Sequence, residues 1–228
     1  MNKILPFKGW IPDIKRAESI VSRPFESYSK EELHQVLNEN AVSFLHVIKP
    51  HETENEQIDY EDKLHLGKKQ FDAFCQSHVF NQDTKPCYYL YRQTRNGNTY
   101  TGIIAAISID DFINGNIKPH EHTIEHKEEK LKHYLNILQI NTEPVIISFP
   151  DHDNLDSIIQ KVLQSKPDIA FNRVDFGFHE LWKISSDDEI EQIQACFSEI
   201  DKMYIADGHH RTGSSVLLGI EKRKNNTL

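Results

Sequence analysis

Residues 203–215 read MYIADGHHRTGSS, and the order of residue types implies a strand, a tight turn and a helix in succession. The apolar run Met203 to Ala206 stops at Asp207 and Gly208. His209, His210 and Arg211 follow at once, with a helix-compatible segment, Thr212 to Glu221, behind them. Glycine permits the turn, and the unpaired amides that open a helix attract phosphate. His209, His210 and Arg211 add side-chain donors, and the Asp207 carboxylate suits a metal ion or the orientation of a hydroxyl. The bland alternative is a tight turn carrying exposed polar residues.

The rest of the chain alternates helical and strand patterns. Ser29 with Glu32 has capping-box spacing, which predicts a helix over 30–39. Ala41 to Ile48 reads as a buried strand closed by Pro50. Residues 51–63 read as a solvated acidic loop or helix start, ahead of a helix whose apolar face carries Leu64, Phe71, Phe74 and Cys75. Cys87 to Thr94 and Thr99 to Ile109 flank Asn96-Gly97, the pair that most favours a hairpin turn. After Asp110 and Asp111 the character changes. The loop IKPHEHT (117–123) precedes a helix with Leu131, Tyr134 and Leu138, and Pro144 to Phe149 reads as a short buried strand. A helix through Ile158, Ile159, Val162 and Leu163, two strands around Gly177, and a capping box at Ser186 and Glu189 before Ile190, Ile193 and Phe197 complete an α/β pattern.

Charge and composition narrow the function. The 228 residues hold 26 Lys plus Arg against 35 Asp plus Glu, a formal charge of −9, so no global basic field draws the chain to nucleic acid or an anionic membrane. The longest apolar stretch, Ile103 to Ile109, is too short to span a bilayer, and the amino end is too short an apolar run for a signal peptide. A soluble, cytoplasmic protein is expected. Cys75, Cys87 and Cys196 form no CxxC pair and sit among apolar neighbours, as buried thiols in a reducing compartment do.

The second chemical candidate is the IKPHEHT loop. Pro119 stiffens its approach, so Glu121, flanked by His120 and His122 and followed by Thr123, is presented at a fixed angle. A carboxylate there can take a proton from a substrate hydroxyl while Arg211 and the histidines hold a transferring phosphoryl group. The same stretch contains His122, Glu125 and His126 in HxxEH order, the inverted zinc-protease pattern. The chain contains no GxxxxGK[ST] loop, no GxGxxG fingerprint and no GxSxG elbow. Ser214 and Ser215 are expected to pack or cap the last helix. Arg23, Pro24 and Phe25 are further candidates to approach the site.

SRPFESYSKEEL, AVSFLHVIKP, the YYLYRQ and TGIIAAISI pair, IKPHEHT, ELWKI and MYIADGHHRTGSS, in this order, resemble the bacterial domain-of-unknown-function family numbered 1015. Members of that family are typically longer, so the chain looks like a truncated, split or amino-terminal version that lacks their carboxy-terminal part. IKPHEHT, a helix, PVIISF and later MYIADGHHR also resemble the loop, helix, strand and strand-turn-helix of the ParB/sulfiredoxin-like fold, especially its free serine kinase branch. That resemblance implies Glu121 as catalytic base and Asp207, Gly208, His209, His210 and Arg211 as the phosphate and metal turn. Sulfiredoxin's reactive cysteine is replaced here by histidine, against sulfinic acid reduction.

The expected architecture is an α/β region over 1–115 followed by a ParB/sulfiredoxin-like core over 116–228, with an insertion at about 151–201. The expected function is a nucleotide-dependent kinase, using ATP or ADP and Mg2+, that phosphorylates the hydroxyl of a small metabolite such as free serine. Glu121 and Asp207 are the catalytic candidates, with Asp207 on the metal. Gly208, His209, His210 and Arg211 bind phosphate, and His120 and Thr123 support. A nucleotide- or phosphate-sensing module without turnover is the alternative, and a zinc-dependent hydrolase the third. A small-molecule substrate and a nucleotide are the expected partners, without membrane or nucleic acid; oligomeric state is left open.

Overall fold

The computed structural model describes residues 4–50, 58–173 and 175–225. In chain order its elements are β1 (Ile4–Leu5), β2 (Trp10–Pro12), α1 (Ala17–Ile20), α2 (Lys30–Glu39), α3 (Leu45–Ile48), α4 (Tyr60–Gln76), β3 (Phe80–Gln82), β4 (Tyr88–Arg95) and β5 (Asn98–Ile104). There follow β6 (Ala106–Ile107), α5 (Ile109–Ile113), β7 (Ile117–Lys118), α6 (Glu125–Leu138), β8 (Ile146–Ser148), α7 (Asp153–Leu163) and β9 (Ile169–Arg173). The last four are β10 (Gly177–Ile184), α8 (Asp187–Glu199), β11 (Met203–Asp207) and α9 (His209–Lys224). The architecture is mixed α/β. Among the described residues the strands form two larger sheets, ordered β5-β4-β10-β9 and β7-β11-β8, and two pairs, β1-β6 and β2-β3.

Local chemistry accounts for several boundaries. The Ser29 hydroxyl accepts from the Glu32 amide at 3.1 Å and the Glu32 carboxylate accepts from the Ser29 amide at 2.9 Å, a complete capping box that starts α2. Asn96 and Gly97 both take positive φ and close the β4–β5 hairpin in the expected register, Arg95 opposite Asn98. In α4, Leu64, Gly67, Phe71 and Phe74 lie on one buried face, and α3 packs against it.

Four expectations need correction. Ala41 to Ile48 is a turn followed by α3, not a strand. Asn40 accepts from the Val42 amide and Ser43 from the Leu45 amide, so these polar side chains bend the backbone locally, and the short apolar run suits a buried helical turn equally well. The second hairpin strand ends at Ile104. β6 leaves it to pair with β1, and Ser108 caps α5 by accepting from the Asp110 amide at 3.2 Å. Residues 146–148 do form a strand, but β8 is a sheet edge and Ile146 is 58% exposed. Ser186 precedes α8 without a side-chain cap bond. Of the acidic segment 51–63, residues 51–57 lie outside the described residues, and α4 begins at Tyr60.

The largest core cluster draws on the whole chain: Ile4, Tyr88 and Leu90 pack with Leu155, Trp182, Ile193, Phe197, Met203 and Ile205. β10, within 151–201, pairs antiparallel with β4 over seven residue pairs, so this segment and the amino-terminal hairpin share one sheet. A second cluster joins Ile20, Val47, Leu64, Phe71 and Phe74 to Leu138 at the end of α6. The helix that follows the IKPHEHT loop is thereby anchored on the amino-terminal helices. No helix among the described residues is long and apolar enough to cross a membrane.

Candidate functional site

Strand direction brings the two sequence candidates together. β7 runs parallel to β11, with Ile117 opposite Met203 and Lys118 opposite Tyr204, so the segments leaving both strands emerge at one end of the sheet. IKPHEHT leaves β7 there, and the Asp207–Arg211 turn leaves β11. β8 is antiparallel to β11 and pairs Ile146 with Asp207, so the residues entering β8, Glu143 among them, arrive at the same end. Carboxyl ends of parallel strands are where ligand sites gather in α/β sheets.

At the turn, Gly208 takes φ 92°, and α9 begins directly at His209, three residues earlier than the sequence pattern implied. A Cβ at Gly208 would also lie 3.0 Å from the Arg211 guanidinium, so both backbone conformation and space call for glycine. No side chain caps the helix, and its first internal bond, Thr212 amide to Gly208 carbonyl, spans 2.9 Å. The first-turn amides of His209, His210 and Arg211 have no intrahelical acceptor by the geometry of a helix start.

His209 is 6% exposed. Its Nε2 accepts from the His120 amide at 3.3 Å, so the proton of a neutral ring resides on Nδ1, which lies 3.8 Å from the Glu121 carboxylate. That distance is ion-pair range, beyond a hydrogen bond. His120 Nδ1 donates to the Ile205 carbonyl at 2.8 Å, which leaves its Nε2 lone pair 3.6 Å from Glu121. The two rings meet edge to face at 4.4 Å. Glu121 itself is exposed, open to a substrate approaching from solvent. The side chain of His209 is thus committed to the loop, and its backbone amide is what it can offer a phosphate.

Arg211 lies between two carboxylates. One terminal nitrogen donates to Asp207 at 2.6 Å and the other to Glu143. Sequence reading missed Glu143, which has no local signature; its place follows from the direction of β8. His210 is half-buried, and Thr123 lies exposed in the loop two residues before α6. Ser214 and Ser215 both donate to the Arg211 carbonyl at 2.9 Å from inside α9, and Ser214 is fully buried, so they pack within the helix and do not cap it. Arg23 points to other partners: its guanidinium is 3.5 Å from Glu32 and 3.6 Å from Asp175. Phe25, by contrast, lines a cavity that reaches Arg211.

Two metal arrangements can be tested against this geometry. The HxxEH pattern is not carried by one helical turn, because α6 begins at Glu125 and His122 precedes it. Among the described residues, the group of side chains close enough to share an ion is His120, Glu121 and His209. With His209 Nε2 accepting from an amide, its Nδ1 is protonated, so only His120 Nε2 and the Glu121 carboxylate offer lone pairs; zinc sites need at least three protein ligands. Asp207 and Glu143 carry the oxygen ligands a hard cation takes, but both are paired with the Arg211 guanidinium, which has to release a carboxylate before an ion can bind it. The thiols take no part: burial pushes Cys75, Cys87 and Cys196 above the ordinary thiol range, away from the reactive thiolate.

The sequence model of the family described as "Protein of unknown function (DUF1015)" matches residues 4–227. The chain belongs to this family. No curated protein and no solved structure matches it. Within this DUF1015 chain, the match covers the IKPHEHT loop, Glu143 and the Asp207–Arg211 turn alike.

Proposed function

We propose that the protein is a nucleotide-dependent kinase that phosphorylates the hydroxyl of a small metabolite such as free serine. The observation that carries the reading is the approach of the Glu121 carboxylate to 3.8 Å from His209 on the turn that opens α9. A candidate base and an anion-binding helix start, distant in sequence, share one end of a sheet. In this reading 116–150 and 202–228 form a ParB/sulfiredoxin-like core. Residues 151–201 are an insertion, and residues 1–115 a flanking α/β region.

Each residue then has a task. Glu121 accepts the proton of the substrate hydroxyl as the hydroxyl oxygen attacks the terminal phosphorus of the nucleotide; the bond from that phosphorus to the bridging oxygen breaks, and the nucleotide leaves one phosphate shorter. Arg211, the amides of Gly208, His209 and His210, and the side chain of His210 neutralise and orient the phosphate. His209 holds Glu121 in place, His120 supports the loop through its amide to His209 and its Nδ1 to the Ile205 carbonyl, and Thr123 lines the approach of the substrate. Asp207 would hold Mg2+, which when bound supplies charge neutralisation at the phosphates. A phosphate arriving at Arg211 replaces Glu143 and Asp207 as its partner, so binding couples to release of these carboxylates.

Glu121→Gln is expected to lower turnover by about 10²-fold or more, the usual share of a positioned base, with nucleotide affinity within about twofold of the parent. A Glu121→Gln protein with full phosphotransfer activity would overturn the assignment. The second reading is a nucleotide- or phosphate-sensing module without turnover. It is favoured by the cavity that Arg211 shares with the amino-terminal helices, and it predicts nucleotide binding with no product in any metabolite panel.

A further inference from the structure

The cavity beside Arg211 has a volume of about 440 Å³, inside the roughly 300–1,000 Å³ range of small-molecule sites. Its walls come from three places. Phe25, Lys49 and Lys63 belong to the amino-terminal helical region, Lys130 and Tyr134 to α6, and Arg211 to the turn of the candidate site. Four cations, Lys49, Lys63, Lys130 and Arg211, face two carboxylates, Glu26 and Glu143. The chain as a whole carries −9, so this local excess of positive charge runs against its composition and creates the field of an anion site.

The cavity is not merely basic. Val47, Leu64 and Leu138 give it an apolar wall, and Phe25, Tyr60 and Tyr134 add aromatic surface. The Lys49 ammonium lies 3.8 Å from the centre of the Phe25 ring and the Lys130 ammonium 4.7 Å from that of Tyr60. Rings hold these ammonium groups at the lining without cancelling their charge. A small inorganic anion would leave the apolar and aromatic walls uncovered, whereas an uncharged aromatic would leave the cations unused.

We propose that this cavity binds a nucleoside phosphate, with base and sugar against the aromatic and aliphatic walls and the phosphates running along the lysines to Arg211. The choice of a nucleotide as the occupant rests on the phosphotransfer reading; the anionic and aromatic character of the occupant rests on the cavity alone. Arg211 then links two subsites, the cavity that holds the nucleotide and the end of the sheet where Glu121 receives the acceptor.

The test is calorimetric titration of the full chain with each of the four ribonucleoside diphosphates, their nucleosides and inorganic phosphate. At least one diphosphate is expected to bind more tightly than its nucleoside and than phosphate by tenfold or more. The double variant Lys63→Ala/Lys130→Ala should weaken it at least tenfold, and Glu121→Gln should leave it unchanged. Methyl resonances of Val47, Leu64 and Leu138 in the unsubstituted protein should shift on addition of that diphosphate, a readout independent of the variants. No diphosphate binding, binding undiminished in the double variant, or binding that leaves these methyl groups unshifted overturns the proposal. Nucleotide bound in the cavity without turnover sustains it while removing the kinase reading. Turnover whose nucleotide KM is indifferent to the double variant does the reverse.

Discussion

His209 Nδ1 lies 3.8 Å from the Glu121 carboxylate while His209 Nε2 accepts the amide of His120. One buried ring thereby fixes the loop that carries the candidate base. If its task is positioning, His209→Ala should lower kcat with little change in nucleotide affinity. A direct phosphate contact by its side chain would instead raise the dissociation constant, so separate measurement of binding and turnover tells the two roles apart.

Arg92 and Glu180 tie the amino-terminal hairpin to the 151–201 segment across β4 and β10, with paired bonds of 2.7 and 2.9 Å. The Glu180 side chain is only 10% exposed. Arg92→Ala strands that carboxylate in the sheet and should cost about 3 kcal/mol or more, the usual penalty for breaking a buried pair. Removing both charges in Arg92→Met/Glu180→Leu should recover most of the loss, as read from urea midpoints.

His179 is packed against Phe171, Phe176 and Tyr91, and its Nδ1 lies 2.6 Å from the Tyr91 hydroxyl. Burial holds its imidazole below the ordinary value of 6.5. Below about 6.5 the unfolded chain takes up a proton there that the folded chain refuses. Stability should therefore be fully present above that value and fall as pH drops through it towards the depressed folded value. The slope of melting temperature against pH over this window should be shallower in His179→Gln.

Gly67 faces the backbone of α3: a Cβ there would stand 2.5 Å from the Val47 carbonyl oxygen. Alanine improves helix propensity by about 1 kcal/mol, but overpacking against fixed backbone costs about 1–3 kcal/mol. Gly67→Ala is expected to lower the urea midpoint with an unchanged slope, a net loss of about 1 kcal/mol.

Short-range chemistry made much of the fold legible. The Ser29 capping box, the Asn96-Gly97 hairpin and the Gly208 turn each depend on a few neighbouring residues, and each forms where the residue types require it. The segment 41–48 failed for a reason of the same scale. Six apolar residues in eight suit a strand or a buried helical turn, and the polar side chains of Asn40 and Ser43 decide for the turn.

The local chemistry of Asp207–Arg211 and of the Glu121 loop is written in the residues themselves: a glycine before a helix start, and a carboxylate behind a proline. Their meeting is not, because it depends on the parallel pairing of β7 with β11, a relation between residues 89 positions apart at His120 and His209. Glu143 reaches Arg211 because β8 runs antiparallel beside them, and the cavity exists because α6 docks on α4. Hydrogen-bonding neighbours along the chain dictate turns and caps, whereas strand direction and helix docking are settled by burial of surface that no single segment can bury alone.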